Sequence, residues 1–246
     1  MTKLAGKTAL VTGGSRGIGA ATALRLAQDG ADVALTYERA RDKAEAVAGQ
    51  IRALGRRAVV LQADSADAAA LTAAVDKAAA ELGGLDILVN NAGIWHDGEV
   101  GSWSLDEIDK VIAVNVRAVI LASQAAARHL PEGGRIITTG SCLAERVTDP
   151  GIALYAMSKA ALIGFTKGLA RDLGSRGITV NIVHPGSTDT DMNPADGDHA
   201  DDQRAKMAIP RYGKAEDIAG LIAYLASEEG RFITGAGIAI DGGVNT

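Results

Sequence analysis

The feature that most constrains this chain is a regular alternation of short apolar runs with longer Ala/Leu-rich stretches along its length. Thr8–Thr12, Asp32–Tyr37, Ala58–Gln62, Asp86–Val89, Arg135–Thr139, Ile178–Val183 and Gly237–Ile240 read as strands. Gly17–Asp29, a stretch to about Leu54, Asp67–Leu82, Leu105–Leu130, Leu154–Leu173 and segments around Asp201–Ala208 and Glu216–Ser227 read as helices. Gly30, Gly55 and Gly83 follow three of these helices and suit the left-handed cap position. The strands are continuously apolar, so both of their faces must be covered. Alternation of such strands with helices gives a parallel sheet with right-handed crossovers. The expected fold is therefore α/β, a doubly wound parallel sheet of about seven strands with helices on both faces. No linker, repeat or change of composition divides residues 1–246, which predicts a single domain.

Composition narrows the function. Hydrophobic residues make up 47% but aromatics only 3%, so Ala, Val, Leu and Ile must build the core. With 25 Lys+Arg against 30 Asp+Glu and no basic block, nucleic acid is not an expected partner. A single cysteine, Cys142, excludes an internal disulfide, and His96, His129, His184 and His199 lack metal-ligand spacing, so no metal is expected. No uncharged apolar run reaches spanning length, and Arg16 interrupts the first apolar stretch after Lys3 and Lys7. A soluble, cytoplasmic protein without membrane attachment is expected.

The chemistry gathers after strands, where such sheets bind ligands. The first strand runs into Thr12-Gly13-Gly14-Ser15-Arg16-Gly17-Ile18-Gly19 at the start of a helix. Glycines there let backbone approach a pyrophosphate, and free helix N–H groups attract the anion. Asn90-Asn91-Ala92-Gly93 follows the fourth strand and Gly140-Ser141 the fifth. Tyr155 and Lys159 are four residues apart, hence on one helix face.

Together these residues resemble the short-chain dehydrogenase/reductase family over essentially the whole chain. Asp64, Asn115, Pro185-Gly186, Thr190 and Asp241-Gly242-Gly243 extend the match. Ser141 and Tyr155 are fourteen residues apart, one more than is usual in the family, which places the extra residue in the 143–152 loop at the pocket rim. The resemblance implies a Rossmann-type fold and a catalytic set of Asn115, Ser141, Tyr155 and Lys159. Tyr155 would exchange the proton, Lys159 would favour its phenolate and bind ribose hydroxyls, Ser141 would orient the substrate oxygen, and Asn115 would hold a water. Implied cofactor contacts are Gly13, Ser15, Arg16, Gly17, Ile18, Gly19, Tyr37, Arg39, Asp64, Ser65, Asn91, Ala92, Gly93, Tyr155, Lys159, Pro185, Gly186, Thr188 and Thr190.

A site that prefers NAD carries a carboxylate at the end of the second strand. Tyr37 stands there, and Asp32 is too early in the strand. Arg16 and Arg39 suit a 2′-phosphate, against the opposing charge of Glu38, so NADP(H) is expected. Segment 187–209 resembles the family's substrate lid and carries Asp189, Asp191, Asp196, Asp198, Asp201 and Asp202 against Arg204 and Lys206. Such a lid disfavours an acidic carrier protein. The resemblance also implies a carrier-docking pair of arginines: carrier-dependent relatives place one just before the fifth strand, where this chain has Pro131-Glu132, and Arg176 stands at the position of the other. A small neutral carbonyl or alcohol substrate is expected. The alternatives are 3-oxoacyl-[acyl-carrier-protein] reduction, or a nucleotide-binding sensor for a cyclic dinucleotide. The family is commonly tetrameric, so a homotetramer, or a homodimer, is expected. Trp95 reads equally as pocket wall or loop packing, His96 as substrate contact or exposed loop residue, and Cys142 as a buried apolar side chain.

Overall fold

A computed structural model describes residues 2–246. Strands β1 (Thr8–Val11), β2 (Asp32–Tyr37), β3 (Ala58–Gln62), β4 (Ile87–Asn90), β5 (Arg135–Thr139), β6 (Thr179–Pro185) and β7 (Gly237–Ile240) form one sheet. Its order is β3-β2-β1-β4-β5-β6-β7, and every pairing is parallel. In register, Leu10 of β1 lies between Ala34 of β2 and Leu88 of β4. The strand order reverses between β1 and β4, and this switch opens a crevice at the carboxyl ends of the strands.

The helices are α1 (Gly17–Gln28), α2 (Arg41–Ala53), α3 (Ala68–Leu82), α4 (Leu105–Ile112), α5 (Ala118–Ala126), α6 (Ala153–Leu173), α7 (Ala200–Ala205) and α8 (Ala215–Ala226). Helices α1, α2 and α8 bury Leu26, Val47, Ile51, Ile218 and Ile222 on one face of the sheet. Helices α3, α5 and α6 bury Leu71, Val75, Leu82, Ala122 and Leu173 on the other. The largest wholly buried side chains are Leu and Ile, as the scarcity of aromatics requires.

Two expected elements differ. The Leu105–Leu130 stretch is not a single helix: a π-helical turn at Ala113–Arg117 separates α4 from α5. Such a turn holds an extra residue while the helix continues, and the apolar pattern on either side conceals it. It carries the buried side chain of Asn115. The expected Asp201–Ala208 helix is also shorter, ending at Ala205.

Asp32, at the amino end of β2, lies at the opposite end of the strand from the crevice. Its carboxylate accepts from Arg56 Nε and Nη2, from Arg57 Nε and from the Arg57 backbone N–H, at 2.7–2.9 Å. Burial opposes its charge, but the Arg57 and Arg56 bonds outweigh burial and hold its pKa below the ordinary 3.8. A lowered native pKa means stability that is complete above pH 3.8 and lost as pH falls through the native value. Asp32→Asn is therefore expected to cost about 1–3 kcal/mol at pH 7. In urea unfolding, the gap to the unmutated protein should narrow below pH 3.8, and an equal gap at pH 7 and pH 3 would contradict this account.

Candidate active site

The crevice begins with the turn from β1 into α1. Gly13 and Gly17 take positive φ angles of 66° and 54°, which a side chain would strain. A Cβ on Gly19 would collide with the Gly13 carbonyl and the Asn91 amide, so the turn can pack this tightly only as glycine. Asn91 fastens the turn from the neighbouring strand: its Nδ2 donates to the Thr12 and Gly13 carbonyls at 3.0 and 3.2 Å. Thr12 Oγ1 accepts from the Asn91 and Ala92 amides at 3.0 and 3.1 Å. Helix α1 starts after Arg16 without a side-chain cap, so its first N–H groups remain available to an anion. Ser15 lies in this turn, and Ile18 anchors its helical end against the core. Thr190 lies above it, its methyl 3.3 Å from where a Gly17 Cβ would be.

At the rim, Tyr37 packs into the core, so only its backbone borders the crevice. Arg39 is exposed and pairs with Glu38 at 2.9 Å. Arg16 faces Asp191 at 3.6 Å, and Lys43 of α2 reaches the same carboxylate at 2.8 Å. Asp64 Oδ1 turns back onto the Ala66 amide, and Ser65 lines a small void behind Asn90 and Ala92. On the other side, the Gly186 amide donates to the Ile240 carbonyl and Thr188 Oγ1 to the Gly186 carbonyl, shaping the exit from Pro185.

Ser141, Tyr155, Lys159 and Asn115 converge at the end of β5. Ser141 caps a short 3-10 turn, its Oγ accepting from the Leu143 amide at 3.2 Å. Tyr155 lies in the first turn of α6 and Lys159 one turn on, with Nζ 5.8 Å from the phenol ring centre. The Lys159 ammonium donates to the Thr139 carbonyl at 3.1 Å and is buried. Asn115 Oδ1 accepts from the Ile94 amide at 2.9 Å. Its Nδ2 donates to the Ile94 carbonyl at 3.0 Å and to Ser158 Oγ at 3.1 Å. The π-helical turn thus ties the loop after β4 to α6.

Burial governs both titrating groups. It pushes the Tyr155 phenol up to about 12, although the Ser141 hydroxyl pulls the other way. It also brings the Lys159 ammonium down to about 8. With its phenol pushed that high, Tyr155 is a protonated donor at neutral pH, and the Lys159 ammonium stands beside its ring.

The family pattern described as enoyl-(acyl carrier protein) reductase matches residues 13–245. A short-chain dehydrogenase from Burkholderia cenocepacia J2315, solved in complex with NADP, superposes with a TM-score of 0.98 at 68% identity, covering 99% of this chain and 100% of that one. The chain belongs to the short-chain dehydrogenase/reductase family. The cyclic-di-GMP-binding biofilm dispersal mediator protein of Escherichia coli (strain K12) is 48% identical over 237 residues, 96% of each chain. The 3-oxoacyl-[acyl-carrier-protein] reductase of Staphylococcus aureus (strain Mu50) is 42% identical over 241 residues, covering 97% of this chain and 98% of its own.

Several side chains gain a definite place in this reductase-family frame. The Trp95 ring lies 4.7 Å from the Tyr155 ring, its Nε1 donating to Asp97. His96 is not exposed: its mostly buried ring meets Trp103 edge-on. Cys142 is buried, and burial pushes its thiol up to about 11, as befits an inert apolar side chain. Lys43 escaped notice in the sequence because nothing there joins it to Asp191, 148 residues away. A cleft of about 490 Å³ is lined by Leu143, Val147 and Met157, and neither Tyr155 nor Lys159 lines it.

The native pKa of Lys159, about 8, lies below the ordinary 10.5, so its charge opposes folding at pH 7. That penalty fades as pH rises from about 8 towards 10.5. Lys159→Met is expected to raise stability at pH 7 by about 1–4 kcal/mol, the scale for replacing a buried charge by an apolar side chain. The gain should shrink at higher pH, and an unfolding midpoint at pH 7 that is unchanged or lower would refute it.

Proposed function

We propose that this chain is an NADP(H)-dependent oxidoreductase that interconverts a ketone and a secondary alcohol, with Asn115, Ser141, Tyr155 and Lys159 as its catalytic set. The convergence of a buried, protonated Tyr155 with the Ser141 hydroxyl and the Lys159 ammonium carries this reading. When bound, NADP(H) supplies or accepts the hydride. The uncapped start of α1 suits its diphosphate, and the cations Arg16, Arg39 and Lys43 suit a 2′-phosphate. The Burkholderia relative's NADP supports that choice. The remaining cofactor contacts are the loop from Gly13 to Gly19, the Asn91–Gly93 turn and the Pro185–Thr190 segment.

In reduction, Ser141 holds the carbonyl oxygen and Tyr155 passes it the phenolic proton as hydride reaches the carbon. Lys159 lies within reach to stabilise the phenolate left behind. Asn115 keeps the floor of the site in register through Ile94 and Ser158. Tyr155→Phe is expected to lower turnover at least ~100-fold, the scale of a lost general acid, while NADPH binding persists. Following NADPH absorbance with a ketone panel tests this, and turnover near that of the unmutated protein would overturn it.

The substrate we assign is small and neutral. The exposed Trp95 indole against Tyr155 offers an apolar wall rather than a charged one. Arg176, the retained half of the carrier-docking pair, turns inward to the Ala127 and Leu130 carbonyls. The 187–209 segment would serve as the lid. Among the described residues no helix is long and apolar enough to cross a membrane. Exposed Ile112, Ile120, Met157 and Phe232 support a homotetramer or homodimer. At fixed salt, kcat/KM is expected to be higher for neutral ketones than for a carrier-bound β-keto thioester. An advantage for the carrier-bound substrate would restore the 3-oxoacyl alternative.

A further inference from the structure

His184, next to the last residue of β6, is a buried titratable group for which the proposed mechanism has no use. Its ring is wedged between two glycines. A Cβ on Gly140 would sit 2.7 Å from Nδ1, and one on Gly237 would sit 2.9 Å from Nε2. Neither neighbouring position can carry a side chain while the imidazole stays in place. Nδ1 lies 3.0 Å from the Ser141 carbonyl oxygen. A carbonyl only accepts, so Nδ1 bears the hydrogen and the neutral ring leaves Nε2 as a bare acceptor. Nε2 is buried and has no partner among the described residues.

This arrangement acts on the segment that delivers Ser141. The Ser141 carbonyl accepts both the Ala144 amide at 3.0 Å and the imidazole N–H, while Ser141 Oγ accepts the Leu143 amide. The 3-10 turn supplies two of these restraints from within itself. Gly140, just before the serine, donates its amide to the Val183 carbonyl of β6 at 2.7 Å. Among the described residues His184 is the side chain of the sheet that bonds the Ser141 backbone itself, from a strand held in register on both sides. We propose that His184 is a positioning residue: its neutral imidazole donates from Nδ1 to the Ser141 carbonyl and so fixes the Ser141 hydroxyl in line with Tyr155. This inference rests on the catalytic reading of Ser141 given above.

Protonating the ring would place a buried N–H at Nε2 with no acceptor. Burial lowers the pKa of His184 from the ordinary 6.5, and Lys159 on α6 adds to that. The Ser141 carbonyl, Glu145 after the 3-10 turn and Asp241 after β7 pull the other way. The neutral form therefore holds at pH 7; as pH falls below 6.5 Nδ1 can still donate, but the Nε2–H without an acceptor displaces the ring and loosens the clamp.

The test compares substitutions of His184 in the full chain, reading kcat for ketone reduction, NADPH dissociation constant and thermal midpoint. His184→Leu fills the slot without a donor and is expected to lower kcat about tenfold, with NADPH affinity within about twofold. His184→Asn keeps an N–H near the Nδ1 position and is expected to recover most of that loss. Turnover of the unmutated protein should decline below pH 6.5, and the Asn variant should lack that decline. If the Leu variant fails to fold, His184→Gln, whose amide reaches towards Nε2 and leaves the Nδ1 position without an N–H, provides the comparison that lacks a donor to Ser141. Ser141→Ala separates the two readings. If it retains full turnover, the catalytic reading fails and the clamp with it. If it is inactive while a folded donorless variant matches the unmutated kcat, or while Asn is no better than Leu or Gln, only the His184 proposal is overturned.

Discussion

A wholly buried ammonium organises the centre of this molecule. Lys159 gives up its hydration for one hydrogen bond, to the Thr139 carbonyl, and for the ring of Tyr155 nearby. An ammonium removed from water costs several kcal/mol even after relaxation, so the rest of the fold must hold it there. Helix α6 carries it inward by its own packing, with Leu162, Thr166 and Leu173 buried further along. The turn after β4 leaves room for it: a Cβ on Gly93 would lie 3.3 Å from Nζ and 3.4 Å from Asn115 Oδ1. The strain of the charge and the geometry of the site have one origin, the union of α6 with the ends of β4 and β5.

The parts of this arrangement that depend on local sequence could be read from it. Strand and helix alternation, helix-ending glycines and the four-residue separation of Tyr155 and Lys159 are short-range signals, and each reappears in the fold. Asp67 as the cap of α3, accepting from the Ala69 and Ala70 amides, is of the same kind. What escaped reading depends on contacts distant in sequence. The π-helical turn leaves no trace in the apolar pattern, because its purpose is a bond from Asn115 to Ile94, 21 residues earlier. His184 looks like one more residue of an apolar strand until Ser141, 43 residues away, is beside it. The direction of the Tyr37 ring is of the same kind: a position at the end of a strand does not say which way a ring turns, and this one turns into the core.

The acidic character of the 187–209 segment changes meaning once its partners are visible. Taken as a sum of charges it repels anions, but Asp189 accepts the Ala195 amide, Asp201 pairs with Arg204, and Asp191 pairs with both Arg16 and Lys43. The last of these joins the segment to the glycine turn and to α2, so a carboxylate already stands between two of the cations assigned to a 2′-phosphate. All three side chains are about half exposed, and ion pairs of that kind contribute only about 0–1 kcal/mol. A phosphate brings more charge and more acceptor oxygens to the same cations, so it can replace the carboxylate at small cost. Replacement would free Asp191 and with it the segment's attachment to the rim. On the proposed reading, cofactor choice and the freedom of the lid are therefore coupled through one weak, exposed contact, while the proton chemistry below it is held by buried ones.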